Sequence, residues 1–262
     1  MCSGCSAVLL LALASLAGAT DLRVCADPDN LPYSNSHGQG FENELARLVG
    51  RQLNRHVRYY WLPQRGKYFR ALRAGACDMA MEAPLNYPGI RTTKPYYRSI
   101  YVFLSRRDRN LNIRSFNDAL LRNLRIGVQV MGDDDAVAPP AEALAARGML
   151  RNITWYGLYR NYLTANRPAV LIDAIEKGEI DVAIAWGPLG GYFARIAQTP
   201  LRVTPVSPRS ERSVRFAFDI AMAVEPRNVT LAGQLNGFLA RHAVETRRIL
   251  ERYGVPLLDV DR

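Results

Sequence analysis

The sequence predicts an α/β protein of two similar lobes, joined by two crossover strands, with a cleft between them. Three observations predict this class. One pattern occurs twice, β-prone runs alternate with helix-spaced runs, and two long apolar stretches stand where a chain can pass between lobes. The repeat is read from ALRAGACDMAM (71–81) and AIEKGEIDVAI (174–184), which share Ala, an apolar residue, Gly, Asp and a closing β-prone run. LRVCA (22–26) and LRIGV (124–128) match in the same way, and the copies stand about 102 residues apart in both cases.

The elements follow in chain order. Residues 22–26 read as an apolar strand, and Phe41, Leu45, Leu48, Val49 and Leu53 recur at helical spacing. A strand is expected over 57–62, a helix over 68–74 and a buried strand over 78–81. Gly75 suits the left-handed position that follows a helix. The stretch SIYVFL (99–104) then leaves the first half. The second half repeats the order: a strand at 124–128, a helix over 140–147, a strand over 153–156, a helix opened by Pro168 and ended by Gly178, and a strand over 181–185. The apolar stretch 214–224 returns the chain. Two helices over 228–254 present Leu231, Leu235, Phe238 and Leu239 on one face and Ile249, Leu250 and Tyr253 on another, and they complete the first lobe. Strands that alternate with helices imply parallel sheets covered by helices. The division expected is lobe one over 20–104 and 217–262, and lobe two over 105–216.

The chain has 262 residues, about half of them hydrophobic, enough for two lobes with cores of their own. Residues 1–19 read as a secretory signal peptide. Positions 7–16 are almost wholly apolar and Ala17-Gly18-Ala19 is a small-residue cleavage pattern, although no Lys or Arg precedes the apolar run. No later stretch reaches the ~18 apolar residues of a membrane span. An exported, soluble monomer is expected. Cys2 and Cys5 lie inside the leader and are discounted as a redox motif or a lipid anchor. Cys25 and Cys77 remain, and an oxidising compartment favours a disulfide between them over two buried thiols. They fall on the first and third strands of lobe one, which are neighbours in a 2-1-3 strand order.

The net charge of +10 fits an acidic protein, an anionic surface or an anionic solute as partner, and equally an ordinary solvated face of scattered arginines. Nucleic acid is excluded as a reading, because no basic run is interleaved with aromatics. His37, His56 and His242 lie too far apart to pair on zinc. Asp133-Asp134-Asp135 lacks the Gly and Glu of a calcium loop and reads as an exposed acidic loop. No metal and no cofactor is expected. G-x-S-x-G is absent, and the stretch GPLGG (187–191) lacks both G-x-G-x-x-G and a phosphate-binding Lys. Those glycines are read as permitting a tight turn and the approach of the next helix to the sheet.

In parallel α/β sheets ligands bind beyond the carboxyl ends of the strands. The candidate cleft residues are therefore Asp27, Asn30, Pro32, Tyr33 and Ser34 after the first strand, and Glu82 and Pro84 after the third. Tyr96 and Tyr97 precede the crossover. Gln129, Asp133, Trp186, Gly187, Pro188 and Tyr192 come from the second lobe. Apolar and aromatic walls with few polar groups suit a small molecule. Glu82 can accept ligand hydrogen bonds or act as an acid or base; it can equally serve a nearby Arg or backbone N–H.

The motifs LRVCADPDNLPYSN (22–35), GFEN (40–43), KPYYRS (94–99), RIGVQ (125–129), WGPLGGYFA (186–194) and YGVPLL (253–258) resemble, in order, the quinoprotein-dehydrogenase-associated subgroup of type II periplasmic solute-binding proteins, the MxaJ/XoxJ type. The resemblance covers the whole mature chain. It implies the type II periplasmic-binding-protein fold and a periplasmic, non-catalytic partner of a PQQ-dependent methanol or alcohol dehydrogenase, with its cytochrome c as a further candidate partner. Relatives that bind amino acids carry T-x-x-R after the strand equivalent to 78–81, and its Arg clamps the ligand carboxylate. Here the segment EAPLNYPGIRTTK (82–94) has no Arg at that place, and Arg91 falls later. An amino acid is therefore disfavoured, and the cleft is left to another solute or to part of a partner protein. A solute receptor, and more weakly a dehydratase-like enzyme that uses Glu82, are the alternatives.

Overall fold

The computed structural model describes residues 21–63, 65–130, 138–157 and 167–259. The expected leader and Asp133-Asp134-Asp135 lie outside them. β1 (Asp21–Ala26) opens the chain and sends Leu22, Val24 and Cys25 into the core. Two short strands, β2 (Asp29–Asn30) and β3 (Ser34–Asn35), lead to α1 (Phe41–Gln52), whose apolar stripe Phe41, Leu45, Leu48 and Val49 is buried. Next come β4 (His56–Trp61), α2 (Arg65–Arg73), β5 (Met79–Pro84) and the long β6 (Arg91–Arg106). The second half holds β7 (Ile126–Val130), α3 (Pro139–Ala145), β8 (Ile153–Gly157), α4 (Val170–Glu176), β9 (Val182–Trp186), α5 (Gly187–Ile196) and β10 (Leu201–Pro205). A small hairpin of β11 (Ser210–Glu211) and β12 (Val214–Arg215) precedes β13 (Ala217–Val224), α6 (Val229–Arg241) and α7 (Ala243–Arg252).

The repeat is structural. β1 lies between β4 and β5, β7 lies between β8 and β9, and all four pairings are parallel. Gly75 and Gly178 both take positive φ, +69° and +71°, at the ends of α2 and α4. The expected crossover strand at 99–104 lies within β6, which joins the parallel strands of the two halves. Ile100 of β6 pairs with Ala217 of β13, and the next residue, Tyr101, pairs with Trp186 of β9. The result is one nine-stranded mixed sheet in the order β4-β1-β5-β13-β6-β9-β7-β8, with β10 also on β6. Antiparallel pairing with β13 also carries β5 on to Pro84, beyond the expected end at 81. The stretch 214–224 divides into β12 and β13, because Phe216 turns inward between them and is fully buried.

One polar device closes both halves. The backbone N–H and guanidinium of Arg23 donate to Asp78 (2.8 and 2.7 Å), while the Asp78 N–H returns to the Arg23 carbonyl at 2.8 Å. Arg125 and Asp181 repeat this, with N–H to carboxylate at 2.9 Å and guanidinium to carboxylate at 3.0 Å. Each staple fixes the first strand of its half against the segment that leads into the third. Burial pulls the Asp78 carboxyl up, but the Arg23 hydrogen bonds and the charges of Arg23 and Arg55 outweigh it and hold it below the usual range. The Arg125 hydrogen bond does the same to Asp181.

Two predictions follow from these ties. Cys25 of β1 and Cys77, two residues before β5, form the expected disulfide, with Cα atoms 5.6 Å apart and a separation of 52 residues. Closing a loop of that length stabilises by roughly 4 kcal/mol, so reduction is expected to lower the free energy of unfolding in urea by about that amount. The two aspartates contribute stability that is complete above the unfolded carboxylate pKa of about 3.9 and is lost as pH falls through their lower folded values. Their contribution is therefore flat with pH above about 5 and falls below about 4, and Asp181→Asn is expected to reduce the acid slope of stability in pH-dependent denaturation.

Candidate functional site

The loop after β1 is built by its own polar groups. Asp27 is fully buried; its N–H donates to Ser34 Oγ (3.1 Å), which donates to the Asp27 carbonyl (2.8 Å). Asp27 Oδ1 also accepts from the Asp29 N–H at 2.9 Å. The carbonyls of Pro32 and Tyr33 accept from the N–H groups of Phe41 and Glu42, both at 2.8 Å. They satisfy donors that the first turn of α1 leaves open. Gly40 permits this contact, since a Cβ there would lie 2.0 Å from the Tyr33 carbonyl oxygen. Asn30 is buried within the same loop, and Leu31 reaches across to pack on the second lobe's core. The Asn30 carbonyl accepts from the Tyr33 N–H at 2.9 Å, so all five predicted residues, Asp27, Asn30, Pro32, Tyr33 and Ser34, hold the loop's shape.

Glu82 sits in a distorted stretch of sheet. Ala83 pairs with Ala221 and Ala80 with Ala223, so Met81 and Glu82 together oppose Met222. On the other side of β13, Tyr97 pairs with Ile220 and Pro95 with Ala221, which leaves Tyr96 as an extra residue. Thr93 and Lys94 also oppose Met222 on that side, so three bulges flank β13 within a few residues, a device that re-aims side chains. Glu82 is 2% exposed and has φ +58°. A left-handed non-glycine residue costs about 1–3 kcal/mol and persists only where its surroundings impose it.

Glu82 and Tyr96 both lie close to Tyr97. Its hydroxyl is fully buried and has no hydrogen-bond partner among the described residues. Burial, then the charges of Glu82, Tyr96, Tyr33 and Glu42, push this phenol well above the usual tyrosine value. It stays protonated, as a donor, throughout neutral pH. Tyr96 meets Tyr97 edge-on at 4.9 Å, and Phe41 joins Tyr97 (6.2 Å) to Tyr33 (5.3 Å). Sequence reasoning missed Glu42, which is 5% exposed. An acidic residue in the first turn of a helix ordinarily reads as a surface group favoured by the helix dipole, and its burial follows only from the loop folded over it. Pro84 pairs with Ile220, the residue that Tyr97 pairs with from the other side of β13.

The second lobe brings together Gln129, Trp186 and the start of α5. Gln129 is 1% exposed; its Oε1 accepts from the Trp186 N–H at 3.0 Å, and its Nε2 has no partner among the described residues. Beside it a cavity of about 10 Å³ lies against Tyr156, Pro168, Leu171 and Leu189, room for about one water. Trp186 is buried edge-on against Tyr101 (5.3 Å) and Phe218 (5.9 Å). Asp133 lies outside the described residues.

The expected tight turn at GPLGG is not there. β9 ends at Trp186 and α5 starts at Gly187, with Pro188 buried in its first turn. The glycines serve the other expected purpose, close approach. A Cβ would lie 2.4 Å from the Ile100 carbonyl at Gly187, 2.7 Å from the Val102 side chain at Gly190 and 1.9 Å from the Gly254 carbonyl at Gly191. The segment after α7 is thereby clasped to both α5 and β6. Ser99 Oγ donates to the Pro256 carbonyl (2.7 Å), Leu258 N–H to the Arg98 carbonyl (2.9 Å), Arg195 to the Glu251 carbonyl (3.0 Å), and Tyr192 stacks on Tyr253 at 5.9 Å.

Comparison with known proteins places this arrangement. The chain is 30% identical over 92% of its length to protein MoxJ of Methylorubrum extorquens, covering 83% of that protein. The chain belongs to the MoxJ family. Protein MoxJ of Paracoccus denitrificans is 27% identical over 98% of the chain and 96% of the relative. The crystal structure of periplasmic binding protein XoxJ from Methylobacterium extorquens AM1 superposes with a TM-score of 0.75 at 30% identity, covering 91% of this chain and all of that one. An ancestral cationic amino acid solute-binding protein, 20% identical with a TM-score of 0.69 over 89% of this chain and 95% of that one, shares the fold. No family model matches. The fold is that of a type II periplasmic binding protein, in two α/β lobes. In this MoxJ-family chain Arg91, the arginine that follows the third strand, is exposed and donates to the Pro226 carbonyl at 2.8 Å. Among the described residues no group of three or more His, Cys, Asp or Glu could hold a metal, and no helix is long and apolar enough to cross a membrane.

The glycine contacts rank two substitutions. Gly191→Ala sets a Cβ against a backbone carbonyl and is expected to cost at least about 2 kcal/mol. Gly190→Ala meets side chains that can shift and costs less. Thermal unfolding of the two variants checks the order.

Proposed function

We propose that this chain is a non-catalytic periplasmic accessory protein of a PQQ-dependent methanol or alcohol dehydrogenase, and that it binds the dehydrogenase, or a component of it, during maturation or activation. It is exported on a leader cleaved near Ala19 and acts as a monomer. Its lobes span 20–104 with 217–262, and 105–216. The observation that carries this reading is family membership over nearly the whole chain, MoxJ by sequence and XoxJ by fold. The interior supports it. Where an amino-acid receptor needs a guanidinium to grip a carboxylate, this chain buries the carboxyl groups of Glu42 and Glu82 around Tyr97. Pull-down with the cognate dehydrogenase is expected to enrich it in its apo form, its PQQ-loaded form or both; enrichment in neither overturns the reading.

A second reading, a receptor for a small solute other than an amino acid, is favoured by one observation. The Tyr97 hydroxyl and the Gln129 amide are buried donors without partners among the described residues, and buried donors are ordinarily paired. A solute that accepts from them at a hundredfold its dissociation constant adds about 2.7 kcal/mol to stability. Thermal-shift screening of the wild type against Tyr97→Phe reads this directly: the expected hit stabilises the wild type and loses its effect in the variant. Glu82→Gln separates both readings from an enzymatic one, since dehydratase activity that vanished in this variant would show a catalytic acid.

A further inference from the structure

A second face of the first lobe, far along the sheet from the crossover, has the features of a docking site. β4 is the end strand of the sheet, and among the described residues no strand pairs with its outer edge. The Leu62 N–H donates to the Ala26 carbonyl. Backbone groups alternate along a strand, so the amides of Val57, Tyr59 and Trp61 point away from β1 to the open edge. A groove of about 550 Å³ runs between this strand and α1, lined by Arg47, Arg51, Arg55, Val57 and Tyr59. Gly50 sets its depth, because a Cβ there would lie 2.6 Å from Val57 Cγ2. Tyr59 and Trp61 stack at 4.6 Å on the same face, a flat aromatic wall.

The charge of the groove is one-sided. Asp78 reaches Arg55 at 3.4 Å, and Asp21 takes His56 (3.6 Å) and Arg58 (2.7 Å). Arg47 and Arg51 are exposed and make no ion pair among the described residues. Charged side chains on an edge strand ordinarily keep other strands away. Here the unpaired charges beside the edge, Arg47 and Arg51 of α1, are basic, so they repel a basic strand, including a second copy of this +10 chain, and favour an acidic one. Guanidinium groups bind carboxylates bidentately, and an open edge supplies backbone hydrogen bonds to an added strand.

We propose that the groove between α1 and the free edge of β4 binds an extended acidic segment of a partner protein, which adds to β4 as a further strand. The proposal rests on the reading of this chain as one that works against a partner protein, and it assigns the face that does so. β4 has six residues, so the segment is about 20 Å long.

The test uses an N-acetylated, C-amidated eight-residue peptide of alternating Glu and Thr against the mature chain, by calorimetry and amide exchange. The expected result is saturable binding that weakens at least tenfold from low salt to 0.5 M salt, with slowed exchange at Val57, Tyr59 and Trp61. Arg47→Glu/Arg51→Glu, and the milder Arg47→Gln/Arg51→Gln, are expected to weaken it at least tenfold and fivefold while the thermal midpoint is kept. The charge-matched Arg122→Glu/Arg151→Glu, on exposed sites of the second lobe, leaves it within twofold. No saturable binding, equal binding of a Lys-Thr peptide, or equal loss in the second-lobe control overturns the proposal. Binding of inorganic polyphosphate or phosphatidylglycerol vesicles as tightly as the peptide, without protection of those amides, overturns it in favour of a general anion surface. If the peptide binds as described and the dehydrogenase is not captured, the docking site stands and the accessory-protein reading falls. Capture of the dehydrogenase undiminished by the Arg47 and Arg51 variants removes the groove and leaves that reading intact.

Discussion

β6 belongs to both lobes at once, and the rest of the structure is arranged around that constraint. Its sixteen residues pair with β13 as far as Ile100 and with β9 from Tyr101 onward. A strand that is continuous through the crossover makes the lobes two ends of one sheet. The chain returns at 216–217, beside the point where it left, so the two passages lie side by side. Everything packed over this seam must come close to its backbone. That is why α5 begins without a loop, why Gly187 and Gly191 face carbonyl oxygens, and why the segment after α7 runs across it from Gly254 to Leu258.

The lobes share a backbone plan and differ at the carboxyl ends of their strands. Both have the 2-1-3 strand order and the same Arg–Asp staple between first strand and third. Beyond the staple the first lobe gathers Glu42, Glu82 and three tyrosines, while the second offers an amide, a tryptophan and small residues. The strain at Glu82 and the paired bulges around Met222 lie on the first-lobe side of the crossover. A fold built by repetition thus carries an asymmetric interior, acidic and phenolic on one side and nearly uncharged on the other. The charge that is missing inside appears outside, where arginines line the far edge of the sheet.

Much of this was legible in the letters. Helix ends at Gly75 and Gly178 follow from backbone freedom at positive φ, and α1 follows from the spacing of Phe41, Leu45, Leu48 and Val49. Cys25 with Cys77 was readable because Cys25 lies on β1 and Cys77 leads directly into β5, strands that a 2-1-3 order makes neighbours. Other features were visible but misread. The glycines of 187–191 stand in a helix rather than a turn, because a short motif does not reveal which carbonyl lies against it. Strand lengths were underestimated where pairing with a distant strand extends them, as β13 extends β5 to Pro84.

The sequence by itself determined the two-lobe α/β plan, the disulfide, the family and the absence of an arginine at the expected clamp. These depend on local periodicity, composition and short motifs, which neighbouring residues carry. Only the tertiary structure decided that β6 fuses the sheets, that Glu42 is buried, that Glu82 and Tyr96 are bulge residues and that β4 leaves an open basic edge. Each of these depends on which residues, far apart in the chain, come to lie against one another. Hydrogen-bond register and close packing settle that, and neither is written in any single stretch of sequence.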